Sequence, residues 1–164
     1  MRILGGSYKL NLILYTEQYK QLIENYKLTE EQLRFTCTPK ESIERSTKEE
    51  DRYNILVIED KQLVTFFVLH RNEGVVPYSD NSYAILLRGF STDDRHQGKG
   101  YAKKTLQLLP QLVKSEFPEI NEIVLSVNVE NIVAQSLYKK CGFVDEGVRV
   151  MGEKGELIVM SFYL

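Results

Sequence analysis

The order of three strand-like runs, and the break that follows them, constrains this chain more than any other feature. YNILVIED, KQLVTFFVLHRN and NSYAILLRGF are successive apolar, β-branched and aromatic stretches, the composition that fits a pleated sheet. Asp60 and Lys61 make a short turn between the first two, and the stretch around Gly74, Pro77, Asp80 and Asn81 makes a longer one before the third. Together they predict an antiparallel meander. RHQGKGYAKK, residues 95–104, interrupts this pattern. Beyond Gly98 the residues Tyr101, Ala102, Thr105, Leu106, Leu109, Leu112, Val113 and Phe117 recur at helical spacing. Pro110 removes a backbone donor inside that stretch, which predicts a bend between Leu106 and Pro110. IVLSV, residues 123–127, reads as a strand, NIVAQSLYKKCGF as a short helix ended by Gly142, and FVDEGVRV with LIVMSFYL as a hairpin joined through residues 151–156. One strand–helix–strand crossover between antiparallel sections implies an α/β (α+β) chain with a mixed sheet.

Ahead of the meander, YKLNLILY at residues 8–15 predicts a first strand. TEQYKQLIENYKL predicts a helix capped at Thr16, with Tyr19, Leu22, Ile23 and Tyr26 on one stripe. Thr29 with Glu31 and Gln32 predicts a further short helix. The charge-mixed stretch from Lys40 to Arg52, entered through Pro39, predicts a helix with a solvated face. No repeat or linker divides the chain, and 164 residues with 43% apolar content suit one domain over 1–164. Lys plus Arg number 21 against 23 Asp plus Glu, so no basic field points to nucleic acid and no polybasic tail to a membrane. A small-molecule partner is expected. The apolar start is too short to span a bilayer and lacks the parts of a secretion signal, which predicts a cytoplasmic protein. Cys37 and Cys141 lie far apart, with only His70 and His96 to complete a metal site. That spacing predicts free thiols and no metal.

A glycine-rich turn from a strand into a helix binds phosphate when the unpaired amides of the helix start face outward and the helix dipole favours an anion. Gly98 and Gly100 would let a diphosphate approach the backbone, with Arg95, Lys99 and Lys103 adding charge; the plainer reading is a turn with solvated cations. A Walker loop is excluded, because no Gly-Lys-Ser/Thr follows a glycine at the required interval. A dinucleotide fingerprint is excluded too, because position 103 is Lys and antiparallel strands come first.

The stretch resembles motif A of the GNAT superfamily of N-acetyltransferases: Gln or Arg, two residues, Gly, one residue, then Gly or Ala, matched here by Arg95, Gly98 and Gly100. NIVAQSLYKKCGF is similar to the second signature of that family, with Asn131, Ala134, Leu137, Tyr138, Gly142 and Phe143 in their places. The resemblance implies a mixed, mostly antiparallel twisted sheet of about seven strands flanked by about four helices. It implies acetyl-coenzyme A as co-substrate, its diphosphate on the amides of Gly98 to Ala102, within a coenzyme-binding set of Arg95, His96, Gln97, Gly98, Lys99, Gly100, Tyr101, Ala102, Lys103 and Asn131. It also implies a pantetheine arm lying where two parallel strands splay near Phe90 and Val127. Gly89, Phe90 and Ser91 would then offer main-chain groups to it, with Gly89 marking a bulge.

By the same resemblance Tyr138 is the acid that meets the departing thiolate. Read from its helical position alone, on the inward face, it reads as a core aromatic. Where relatives carry a catalytic Glu, this chain has Ala84 and Ser126, neither of which is a base. Asp93, Asp94, Glu73 and His70 could each act through water, and none is singled out. The implied reaction is acetylation of a primary amine of a small molecule or peptide, and the alternative is a coenzyme A-binding module without turnover. The apolar strand LIVMSFYL suggests pairing with a second copy.

Overall fold

A computed structural model describes residues 2–4 and 10–164. Along the chain the strands are β1 Arg2–Leu4, β2 Asn11–Leu14, β3 Arg52–Glu59, β4 Gln62–His70, β5 Ala84–Thr92, β6 Glu122–Asn128, β7 Val144–Gly152 and β8 Gly155–Tyr163. The helices are α1 Lys20–Glu24, α2 Glu30–Leu33, α3 Pro39–Ser46, α4 Tyr101–Glu116 and α5 Ile132–Lys140. Among the described residues the strands form one sheet in the order β1-β2-β3-β4-β5-β6-β8-β7. Neighbours are antiparallel except β5 and β6, which are parallel and joined through α4. The mixed, mostly antiparallel sheet expected from the sequence is present, with β1 as an additional strand. The start of the expected first strand, residues 8–9, lies outside the described residues.

Both faces of the sheet are covered. On one face α4 contributes Leu106, Leu109, Leu112 and Val113, none more than 1% exposed, against Leu12, Phe67, Leu87 and Ile123. Each such side chain contributes about 1.5–3 kcal/mol on burial. On the other face Ile23 and Tyr26 pack on Leu56, Phe66 and Val68, joined by Tyr19 and Leu22 of the predicted stripe. Thr29 and Gln32 form a reciprocal capping box at α2, and Thr38 accepts the Glu41 amide at α3 with Pro39 in the first turn.

Three expectations change. Thr16 makes no side-chain cap, and the first helix enters through a 3-10 turn at Glu17–Tyr19. α3 ends at Ser46, and Arg52 belongs to β3 with its side chain 2% exposed, so that end of the charged stretch is not solvated. α4 includes Pro110, whose missing N–H removes the bond to the Leu106 carbonyl. The apolar β8 is an inner strand between β6 and β7. Its hydrophobicity serves this sheet, and it has no free edge for a second copy.

The feature that shapes the site is where β5 and β6 part. Their pairing runs from Ala84 opposite Glu122 to Leu87 opposite Leu125 and stops. β5 continues to Thr92, while β6 stays bound to β8 through Asn128. Against β4, Phe66 faces Ser91 but Val68 faces Arg88, so β5 carries one extra residue there. Gly89, at φ +60, absorbs it.

Candidate active site

The turn before α4 is built from Asp93 outward. Its carboxylate is completely buried and accepts from the Lys27 amide, the Arg95 amide and both Nε and Nη2 of Arg95, all at 2.8–2.9 Å. Burial alone would raise its pKa; the Arg95 bonds and the two amides outweigh that and hold it below the ordinary carboxylate value. Arg95 Nη2 also donates to the Asn25 carbonyl, which directs much of this guanidinium to the scaffold. Asp93, expected among solvated candidate bases, is therefore a structural anchor.

Beyond it the chain turns through Gly98 at φ +75 and Gly100 at φ +81, conformations costly for residues with a Cβ. A Cβ placed at either glycine would meet no atom within 4 Å, so the space above the turn is open. Gly100 is the N-cap of α4. The first protein bond made at this helix start is from the Lys104 amide to the Gly100 carbonyl; the amides of residues 98–103 have no acceptor among the described residues. Gln97, Lys99 and Lys103 are exposed around this opening, and Ala102 is half-buried. His96 packs edge-on against Tyr101, whose hydroxyl donates to Glu59, and Lys104 lies over the Tyr101 ring.

The gap between β5 and β6 lies at the same end of the sheet. The Asp93 amide donates to the Val64 carbonyl. In this register Ser91 faces its partner Phe66 on β4, and the main-chain groups of Phe90 turn the other way, toward the gap. The Ser91 carbonyl also accepts from the Tyr26 hydroxyl at 2.7 Å, and the Thr92 carbonyl accepts from Gln32 Nε2. Phe90, more than Ser91, is thus the strand residue with free main-chain groups at the opening.

Tyr138 on α5 stands edge-on between Phe90, at 6.3 Å between centroids, and Phe143, at 6.0 Å. Its hydroxyl has no hydrogen-bond partner among the described residues, and burial pushes the phenol above its ordinary pKa, so it stays protonated at neutral pH. Asn131 caps α5 by accepting the Ala134 amide.

Of the other candidate bases, Asp94 and Glu73 are exposed. His70 is 4% exposed, its Nδ1 lies 3.3 Å from Arg88 Nη1, and burial together with the Arg88 and Arg52 charges pushes its pKa down. Ala84 is buried and Ser126 half-buried, so β5 and β6 bring no carboxylate to the gap. Sequence reasoning missed the scaffold role of Asp93, Tyr26 and Gln32, for which the regular helical stripe through Tyr26 was the available sign.

A sheet opened between two parallel strands beside an amide-rich helix start defines a class of acyl-transfer fold. The sequence pattern described as the Acetyltransferase (GNAT) family matches residues 17–143, and this chain belongs to that family. It is 39% identical over 156 residues to the uncharacterized N-acetyltransferase YbbJ of Bacillus subtilis (strain 168), covering 94% of this chain and 98% of the relative. Among solved structures it resembles the aminoglycoside acetyltransferase AAC(6')-Ib in complex with coenzyme A, with TM-score 0.74, 15% identity and coverage of 94% of each chain. It also resembles the spermidine N-acetyltransferase from Vibrio cholerae in complex with coenzyme A and spermine, with TM-score 0.64, 19% identity and coverage of 94% and 95%.

Proposed function

We propose that this chain transfers the acetyl group of acetyl-coenzyme A to a primary amine of a small molecule or a peptide. The observation that carries the reading is Tyr138: a protonated, unpartnered hydroxyl fixed between Phe90 and Phe143 at the strand gap, at the end of the sheet where the free amides of residues 98–103 open. The turn suits a coenzyme diphosphate, because it combines free amides, room for close approach at Gly98 and Gly100, and the cations Lys99 and Lys103. Bound there, the coenzyme supplies an activated thioester.

In this reading the Phe90 main chain aligns the arm in the gap, and Tyr138 donates a hydrogen bond to the sulfur as it gathers negative charge. The acceptor nitrogen must be neutral to attack. An alkylamine of pKa about 10.4 gives up about 3.4 units to be neutral at pH 7, or about 4.6 kcal/mol. With no carboxylate brought to the gap by β5 or β6, this cost falls to a dry site or to a water-mediated base.

A second reading, a coenzyme A-binding module without turnover, is favoured by that missing carboxylate at Ala84 and Ser126. Thiol release from acetyl-coenzyme A with a panel of amines separates the two. Amine-dependent release supports transfer. Thermal stabilisation by coenzyme A without release supports the module, while stabilisation by ATP or NAD instead removes both; a ligand at 100 times its dissociation constant adds about 2.7 kcal/mol.

A further inference from the structure

On the sheet face opposite α4, Arg88 at the start of the gap joins a cluster of cations on β3 and β4 that the acetyl-transfer chemistry does not use. Leu87 and Leu125 pack under α4, whereas Leu86 and Val124 pack on the opposite face with Val75, Ala84 and Val159. Arg88, one residue past the last β5–β6 pair, continues that opposite face where the strands part. Its Nη1 lies 3.3 Å from His70 Nδ1. His70 is paired across β3 and β4 with Arg52. The Arg52 side chain is 2% exposed, and its Nη1 holds Glu49 at 3.0 Å, but its Nε is buried with no partner.

This arrangement is electrostatically unbalanced. Among the described residues Glu49 is the one carboxylate whose charge acts on Arg52, His70 and Arg88 alike, and Arg88 itself makes no close ion pair. Arg88 also disfavours the charged forms of both Arg52 and His70. Gly74 closes over the imidazole so tightly that a Cβ would lie 2.3 Å from His70 Cγ, which fixes the ring behind Arg88. Two guanidiniums held together against one carboxylate cost stability, and an anion arriving beside them repays it.

We propose that Arg88, supported by Arg52 and His70, receives an anionic group of the acceptor, so that the preferred substrate is an amine bearing a carboxylate or phosphate rather than a polycation. The proposal rests on the acetyl-transfer reading, because it concerns the acceptor side of that site. The geometry supplies its chemistry: a guanidinium fork suits a carboxylate or phosphate bidentately, and its place beside Gly89 and Phe90 sets the anion next to the gap where the amine would react.

The test compares paired acceptors with acetyl-coenzyme A, each rate expressed per neutral amine: leucine against leucinamide, phosphoethanolamine against ethanolamine, and spermidine. The expected result is a kcat/KM at least tenfold higher for one or both anionic members over their neutral partners, arising in KM, with spermidine poorest. In Arg88→Gln that ratio should collapse by about 10- to 100-fold, the range for a hydrogen bond to a charged group, and Arg88→Lys should give an intermediate ratio. Should Arg88→Gln fail to fold, judged by loss of cooperative melting, Arg88→Lys alone decides. Equal rates within each pair, a preference for spermidine, or a ratio indifferent to Arg88 would overturn the proposal while leaving acetyl transfer intact. No turnover of any amine despite coenzyme binding would overturn acetyl transfer and this proposal with it.

Discussion

Arg95 Nη2 lies 2.8 Å from Asp93 Oδ2, and the same nitrogen reaches the Asn25 carbonyl at 2.8 Å. One guanidinium thereby ties the turn ahead of α4 to the segment that follows α1, and the open amides of residues 98–103 inherit their direction from this tie.

Asp93→Asn removes a charge but keeps a carbonyl oxygen, so it should cost about 1–3 kcal/mol through weakened bonds to Arg95 and the two amides. Because the folded pKa of Asp93 lies below its unfolded value, its contribution is present above the unfolded pKa, about 3.9, and is lost as pH falls through the folded value. Urea melts across the acid range should show a shallower decline for the variant than for the native chain. Parallel declines would assign the acid sensitivity to other groups.

Tyr138→Phe keeps both edge-on ring contacts and deletes only the hydroxyl. The acetyl-transfer rate should fall by about 10²- to 10⁴-fold with little change in coenzyme affinity. A rate equal to that of the native chain makes Tyr138 a packing residue.

Gly100→Val should weaken coenzyme A binding measured by titration calorimetry. The new Cβ has no non-neighbouring protein atom within 4 Å. Its costs are the strain of φ +81, about 1–2 kcal/mol, and occupation of the space a diphosphate needs. Unchanged affinity in a stable variant would show that the coenzyme does not use this turn.

Gly74→Ala drives a methyl into the His70 ring and should destabilise the fold by about 1–3 kcal/mol, as overpacking does. The ring cannot retreat without disturbing Arg88, so the variant should also blur any distinction between anionic and neutral acceptors. Thermal melts check the first effect and the matched-acceptor assay the second.

Much of this was legible in the sequence where local rules and tertiary packing agree. The meander, the crossover through α4 and the closing hairpin follow from side-chain period and turn residues. Gly98 and Gly100 announce left-handed backbone because little else tolerates it. What periodicity cannot show is which neighbour a strand acquires: LIVMSFYL reads as apolar, and whether it is an edge or an inner strand depends on β6 and β7. The same limit hid Asp93 and Arg52, whose charges imply solvent in a composition but are buried here by partners distant in the chain. Arg88 followed an apolar run and gave no local sign of its neighbours Arg52 and His70.

Among the described residues β7 reaches the rest of the sheet only through β8, although it precedes β8 in the chain. Spatial order therefore inverts the order of synthesis at this end. On a nascent polypeptide β7 would wait without a ladder partner until β8 emerged from the ribosome and threaded between it and β6, so docking of β8 is the step on which completion of the sheet depends.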